Sequence, residues 1–559
     1  MRRQEVRKLR SLSVVIVIAF LVFVPAWQSP AETGEGNSET VGGFSCEKVL
    51  QLGEDMYRRG VLPSGESIQA VVLGDIPVSG TAFTCISCHA RSGIGSIEGS
   101  VATPPTNGRN LFQPLKILYG GFKHERPAYT DKSLAEALRG GVDPSGRVMS
   151  DVMPHYLLED KDMAVLVFYL KSLSSQFSPG VSDRTLRFAT IISEDVSPED
   201  RDAMLVPLEN YFIGVNRNVP TSMQIPGIPP SIRLYRTLSV WLLKGPPETW
   251  RSQLEEYNSK EPAFALLGGI TTGEWKPIHD FCEANGIPSL FPLTDFPVVS
   301  ETDWYTLYFS KGYYQEGEGA ARYLNSIGEQ INGRSIVQIA RDSREGLALS
   351  AGFQKTWHDM GHPAPVMITL KEGQLLTKEI LQRVSAQEKP AVLILWDGPG
   401  VLRPLETFAA DKNRPEMVFV SSGYLGKDIW TLKEKVREFT YITYPFRLPQ
   451  AEQQWASIEP FMRKAKGQGN TEMILKRTYS IITVLSQALM DMQGNYYRDN
   501  YYRDNFLDVI AMMKDQKVPL YERLSFGPGQ RYASKGCYIV QLTKGSNPEL
   551  VRKSDWVIY

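Results

Sequence analysis

Cysteine and histidine are scarce in this chain, with 5 and 6 residues respectively among 559. Cys85 and Cys88 stand together, whereas Cys46, Cys282 and Cys537 are scattered singly. That excludes a disulfide scaffold and leaves a zinc site without the second ligand pair such sites use. Excess charge of one sign is lacking too: 61 Lys and Arg face 62 Asp and Glu. No strongly basic segment follows the first ten residues, which argues against nucleic acid as a partner. After residue 24 no run is long and apolar enough to span a bilayer. A G-x-S-x-G elbow, a P-loop and a G-x-G-x-x-G are all missing in suitable context, which removes the usual hydrolase, nucleotidase and dinucleotide readings. The length suits three or four domain-sized units, and 42% hydrophobic with 22% charged residues is ordinary globular composition.

Against that scarcity, Cys85-Ile-Ser-Cys88-His89 is conspicuous. With so few cysteines and histidines, a chance C-x-x-C-H is expected on the order of once in a thousand such chains. A thioredoxin-type pair belongs at a strand-to-helix junction, but the preceding "GDIPVSGTAFT" reads as loop. What remains is covalent haem attachment, for which the pattern is specific. If the motif opens a helix, Cys85 and Cys88 share a face and can each form a thioether with a haem vinyl group. His89 then follows at the height that places its imidazole on the iron. Such attachment occurs outside the cytoplasm, and the N-terminus reads as an export signal: a basic "MRRQEVRKLR", then 13 apolar residues from Leu12 to Val24. Cleavage fits after Ala26 or Ala31, an uncleaved anchor being the alternative. The expected mature protein is periplasmic or otherwise exported, with no membrane span after cleavage.

Downstream lies "GGVDPSGRVMSDVMPHYLLEDKDMAVLVFYLKSL", in which Met153 is held out of helical geometry by Pro154. An early C-x-x-C-H, a loop Met-Pro and a terminal helix with "YLKSL" resemble the class I monohaem c-type cytochromes. The resemblance covers residues 45–175 and implies an all-α domain with one covalent haem c. It makes Cys85 and Cys88 the thioether cysteines and His89 the proximal iron ligand, with Met153 distal. Met149, His155 and His124 are competing distal ligands. The closing helix shows its own stripe, with Met163, Leu166, Val167, Leu170 and Leu173 at helical spacing after Glu159 or Asp160. "GEDMYRRGVLPSG" from Gly53 to Gly65 reads as the first helix running into a turn. The Pro105 carbonyl is a candidate acceptor for the second nitrogen of His89, an ordinary turn proline being the alternative. Arg109 is either a propionate partner or a surface arginine.

Residues 176–185, with Pro179-Gly180, read as a linker. Over 186–559, apolar runs such as "LRFATII", "AFALLGGI", "SIVQIA", "AVLILW", "MVFVSS" and "FTYITYPF" alternate with helical stretches, implying parallel sheets. "FALLGGITTGEWKPIHDFCEANGIPSLFPLTDFP" and "GYYQEGEGAARYLNSIGEQINGRSIVQIARDSREG" resemble the type I periplasmic-binding fold of the branched-chain amino-acid binding protein family. That resemblance implies an α/β domain of two lobes around a hinged cleft. By position it puts Thr271, Thr272 and Gly273 where the family grips a ligand carboxylate, with Thr294 in the next loop. Tyr313, Asp342 and Asp397 then come from the second lobe to meet an amino group. Helix capping is the plainer reading of Thr271, Thr272, Asp342 and Asp397. The first loop, "ISEDVSPED", departs from the family in being acidic. His279 has no ligand partner at i+4 and reads as a packed or surface histidine. The repeat "NYYRDNYYRDN" has a period of five, which fits neither helix nor strand. "FGPGQRYASKGCYIVQL" resembles the closing hairpin of the same family, which puts Cys537 in a strand and implies that it is buried.

The expected function is electron transfer through one haem, an electron carrier rather than an enzyme, with a fused domain that senses or docks through a small molecule. Expected partners are redox proteins and a ligand such as an amino acid or organic acid. The alternatives are a transport solute-binding protein with a haem appendage, and the electron-accepting subunit of a periplasmic dehydrogenase.

Overall fold

The computed structural model describes residues 40–98, 101–119, 122–217, 234–300, 302–331, 334–449, 470–494 and 501–558. The expected export signal over 1–26 and the first copy of the tyrosine repeat lie outside the described residues.

In the N-terminal unit the apolar stripe of "DKDMAVLVFYLKS" forms the helix Asp160–Ser172, burying Met163, Leu166, Val167 and Leu170. Each such side chain contributes about 1.5–3 kcal/mol when taken fully out of water. The helix Cys46–Arg59 packs on it and ends at Gly60, which takes a left-handed φ of 66°. This first helix begins earlier than the stretch from Gly53 suggested, because Gly53 sits inside it. A Cβ there would lie 2.3 Å from the Cβ of Tyr169, so glycine is what lets the two helices touch. Asp131–Gly140 is a third helix, started by a capping box in which Thr130 and Ser133 bond reciprocally. To this helical core the fold adds a small antiparallel sheet, in the order Ile76–Ser79, Gln69–Val72, His155–Tyr156. It also adds the hairpin Leu115–Tyr119 with Phe122–Arg126. The helical reading did not include these strands; they are too short to show a period.

The larger part is two-lobed. One lobe holds a five-stranded parallel sheet in the order Tyr235–Leu243, Thr185–Ser193, Ala265–Leu267, Ser289–Leu290, Thr306–Leu307. The helices Asn470–Gly494 and Arg503–Ala511 return to this lobe and fill its core through Ile481, Leu485, Phe506 and Ile510. The other lobe carries five parallel strands in the order Val366–Leu370, Ile336–Arg341, Val392–Trp396, Met417–Ser421, Thr440–Tyr444. Gly536–Leu542 and Leu550–Arg552 extend that sheet antiparallel, with Cys537 fully buried as expected for the closing hairpin. Segments crossing between the lobes pair with each other: the Tyr308 amide donates to the Arg531 carbonyl at 2.8 Å and the Ala533 amide to the Tyr308 carbonyl at 3.0 Å.

Residues 176–185 are tied down along their length. The Ser178 hydroxyl accepts the Arg503 amide at 2.9 Å, and Phe177 lies under the Arg109 guanidinium, 4.8 Å from its ring centre. Among the described residues no helix is long and apolar enough to cross a membrane.

Candidate functional site

The cysteine motif forms a single helical turn, Ile86–His89, with Cys85 as its N-terminal flanking residue. No disulfide joins any of the five cysteines. Cys85 is half-buried beneath Tyr156, whose hydroxyl lies 3.5 Å from its sulfur. Burial pushes the Cys85 thiol up to about 11. Such a group is a poor thiolate at neutral pH, unlike a reactive redox cysteine. It is compatible with addition to a vinyl carbon, which leaves a neutral thioether.

His89 is buried, and its Nδ1 lies 2.8 Å from the carbonyl of Pro104. The acceptor is therefore Pro104 and not its neighbour Pro105. The register is set at Gly95, whose amide bonds the His89 carbonyl at 3.0 Å and where a Cβ would lie 2.1 Å from the Thr103 carbonyl. That packing brings the first proline of the pair over the ring. A carbonyl can only accept, so Nδ1 carries the proton and Nε2 keeps its lone pair. Burial lowers the imidazole's affinity for a second proton, with the Pro104 carbonyl working against it. A neutral imidazole with one nitrogen oriented and the other available is what an iron ligand requires. Ala90 follows at φ 60°, ψ 171°, strained for a residue with a side chain. The Tyr57 hydroxyl holds that turn by donating to the Ala90 carbonyl at 2.8 Å, and it also meets Thr106 at 3.3 Å.

Cys85, Ile86, Met149 and Met153 all border the same hydrophobic core. The Met153 amide donates to the Ser150 carbonyl at 2.8 Å, which fixes the Met-Pro segment as a tight turn. His155 lies in a strand with its ring against Gly141, where a Cβ would stand 2.2 Å from Nε2. The side chain of His124 lies outside the described residues. The donor set of two thiols on one turn, an oriented neutral imidazole and a thioether beside an apolar core fits haem c. Among the described residues no three His, Cys, Asp or Glu gather as a bare metal site.

In the two-lobed part, Thr271 and Thr272 lie in the loop after Ala265–Leu267. They do not cap the following helix, Lys276–Asn285, whose flanking residue is Trp275. The Thr271 hydroxyl donates to the Gly273 carbonyl at 3.2 Å, and the Thr272 amide to the Ser193 hydroxyl at 3.1 Å. The Thr272 hydroxyl donates to Asp195, an acidic residue of the first loop. Thr294 accepts the Phe296 amide at 3.1 Å. Asp342 is exposed at a strand end, its amide on the Leu370 carbonyl at 2.8 Å. Asp397 is buried and already paired: both oxygens take Arg341, at 2.8 and 2.7 Å, and one also takes the Gly398 amide.

Tyr313 opens the helix Tyr313–Ser326 and meets Phe296 of the other lobe at 5.1 Å between ring centres. Burial raises its phenol pKa, with Asp295, Glu316 and Glu345 adding to the effect. Arg344 lies 4.2 Å over the other flank of Phe296, and Tyr424 stands 6.2 Å from Tyr313. The lobes thus meet where Phe296 packs on Tyr313 and Arg344, with Tyr424 beside Tyr313 and Thr294 holding the Phe296 loop, while Thr271, Thr272, Asp342 and Asp397 are engaged elsewhere or stand apart. Phe296, Arg344 and Tyr424 were not foreseen; one lies in a loop and the others in the first turn of a helix, positions where no period marks a contact. His279 is buried, as one expected alternative had it, between Asp303 at 2.8 Å and the Tyr308 hydroxyl at 3.0 Å.

Residues 81–174 match the family model described as cytochrome c. Residues 244–547, more than half of the chain, match the family model described as periplasmic binding protein. No curated protein matches the chain. Among solved structures, a branched-chain amino-acid ABC transporter protein from Thermus thermophilus with bound valine aligns at 13% identity and a TM-score of 0.47, over 68% of this chain and 98% of its own. A solute-binding protein from Rhodopseudomonas palustris BisB5 in complex with 3,4-dihydroxybenzoic acid aligns at 13% and 0.46, over 68% and 99%. A fatty-acid ABC transporter substrate-binding protein from Thermomonospora curvata aligns at 12% and 0.45, over 69% and 95%.

Proposed function

Since the chain belongs to the periplasmic binding protein family and carries a cytochrome c domain ahead of it, we propose that it is an exported electron-transfer protein. One covalent haem c serves it, and its fused binding fold takes a small organic acid. The observation that carries the redox half is the His89 ring, buried and oriented by the Pro104 carbonyl at Nδ1, which leaves the Nε2 lone pair to serve as a metal ligand. When bound, the haem supplies a one-electron Fe(II)/Fe(III) couple. Cys85 and Cys88 would tether it, His89 and Met153 would supply ligands to its iron, and the Tyr57 hydroxyl keeps the turn after His89 in place. A thioether ligand favours the reduced metal relative to a second imidazole, which suits acceptance from a mid-potential donor. The route is electron carriage, with no bond made or broken in a substrate.

For the ligand, an organic acid is preferred to an amino acid because two of the carboxylates nearest the junction are already paired and Asp342 stands at an exposed strand end. Asp397 is held by Arg341, and Asp295 by Arg477 at 2.5 Å. Arg344 instead offers an exposed guanidinium beside the rings of Phe296 and Tyr313. A thermal-shift series with aromatic and aliphatic carboxylates against amino acids tests this. A ligand that binds the folded state raises the melting temperature by mass action, so carboxylates are expected to act and Arg344→Ala to remove the response. Stabilisation by amino acids alone contradicts the assignment. A purely transport role predicts that ligand binding is indifferent to the haem oxidation state.

A further inference from the structure

The binding fold reaches the haem motif directly. Asp508, on the helix Arg503–Ala511, is 7% exposed, and its carboxylate accepts the backbone amides of Arg91 at 3.2 Å and Ser92 at 2.8 Å. Those amides belong to the turn that starts at His89. Tyr57 grips the same turn from the haem-domain side through the Ala90 carbonyl, and the Ser174 hydroxyl bonds the Ser92 carbonyl at 2.8 Å. One turn earlier on the Asp508 helix, Asp504 pairs with Arg58 at 3.2 Å and accepts the Tyr305 hydroxyl at 3.0 Å.

Arg91 extends the contact toward the hinge. Its guanidinium lies 4.4 Å from the centre of the Trp304 ring, and Arg531 lies 4.6 Å from the same ring. Arg531 also donates to the Trp304 carbonyl and sits in a segment that crosses between the lobes, paired there with Tyr308. Any relative movement of the lobes would have to be absorbed in the crossing segments, those at 308 and 531 among them. Arg91 rests on the rings of Trp304 and Tyr305, just ahead of the 308 segment, and Arg531 of the other segment holds the same Trp304 ring.

We propose that Asp508 is a positioning residue for the proximal haem ligand, and that the binding fold acts on the haem through the Arg91–Ser92 turn. The proposal rests on the haem reading of Cys85, Cys88 and His89. A buried carboxylate behind the proximal turn stabilises the oxidised, more positive iron, so its charge sets the potential as well as the geometry. The charged and titratable groups facing Asp508 are Asp504 on its own helix, Arg91 on the turn, Tyr57 on the first helix and Arg531 on the crossing segment. Burial and the nearby Asp504 push the Asp508 carboxyl up to about 6.

The test is a redox titration of the full haem-loaded chain from pH 5 to pH 8, for wild type, Asp508→Asn, Asp508→Glu and Asp504→Asn, with haem content measured in parallel. In wild type the midpoint potential is expected to fall as the pH rises through about 6, because deprotonation of Asp508 favours Fe(III). Asp508→Asn is expected to lose that step and to lie above wild type at pH 8, while Asp508→Glu restores the step and Asp504→Asn retains it. One haem per chain with no step in the wild type overturns the proposal, and that measurement needs no variant to fold. An Asp508→Asn chain with the wild-type profile overturns it as well. Wild type without covalent haem overturns both the proposal and the haem reading, which separates the two failures.

Discussion

Replacing Tyr57 by phenylalanine isolates the clasp behind His89. The tyrosine is 1% exposed, its ring packs on Tyr169 at 5.7 Å, and its hydroxyl bonds the Ala90 carbonyl at 2.8 Å. Phenylalanine keeps the ring contacts and the volume, so no cavity term arises. The change removes one hydrogen bond, worth about 0.5–1.5 kcal/mol net, and strands a carbonyl whose desolvation costs about 1–3 kcal/mol. Thr106 lies 3.3 Å from the lost hydroxyl and recovers part of this. The expected loss is therefore about 1–3 kcal/mol, confined to the haem domain. Urea unfolding followed through the haem absorbance reports that domain separately from the two lobes, and the midpoint should fall with the slope unchanged. A loss of about 3–5 kcal/mol would exceed what one hydrogen bond can supply and would contradict the single-bond reading. No change at all would refute the clasp.

Three further outcomes follow from the same geometry. Met153→Ala should keep covalent haem but lose the weak far-red band of methionine-ligated ferric iron and lower the potential; a persistent band would assign the distal position to another residue. Asp397→Asn leaves Arg341 facing a neutral amide in a mostly buried site, so the second lobe should lose about 3–5 kcal/mol in denaturant unfolding, and a loss below about 1 kcal/mol would mean the pair is solvated. Burial pushes the Glu316 carboxyl from its ordinary 4.5 up to about 7, against the pull of Thr443, Ser422 and Gly423 as donors. Its folded-state pKa is the higher one, so its contribution is complete below about 4.5 and is lost as the pH rises toward about 7; stability of that lobe flat across this window would contradict the shift.

The cytochrome c half was readable where its pattern is local. Cys85, Cys88 and His89 are contiguous, and the closing helix announces itself through the spacing of Met163, Leu166, Val167 and Leu170. The single-residue error at Pro104 came from the Gly95 turn, whose close approach to Thr103 depends on backbone packing that no pattern encodes. The strand Tyr235–Leu243 escaped notice because it lies at a sheet edge and buries few of its side chains. Asp397 was placed correctly at a strand end, but its pairing with Arg341 is set by the neighbouring strand, 56 residues back. Asp508 lies 416 residues from Ser92 in sequence. Its role follows from how two domains dock, and that is written in no local spacing.

The central claim is that Cys85, Cys88 and His89 hold one covalent haem c. Pyridine haemochrome analysis of the purified exported protein, combined with its intact mass, tests it most directly. The account predicts one haem per chain with both vinyl groups saturated, and loss of covalent haem in the Cys85→Ala, Cys88→Ala double variant. A chain without covalent haem, or one whose haem persists in that variant, contradicts it.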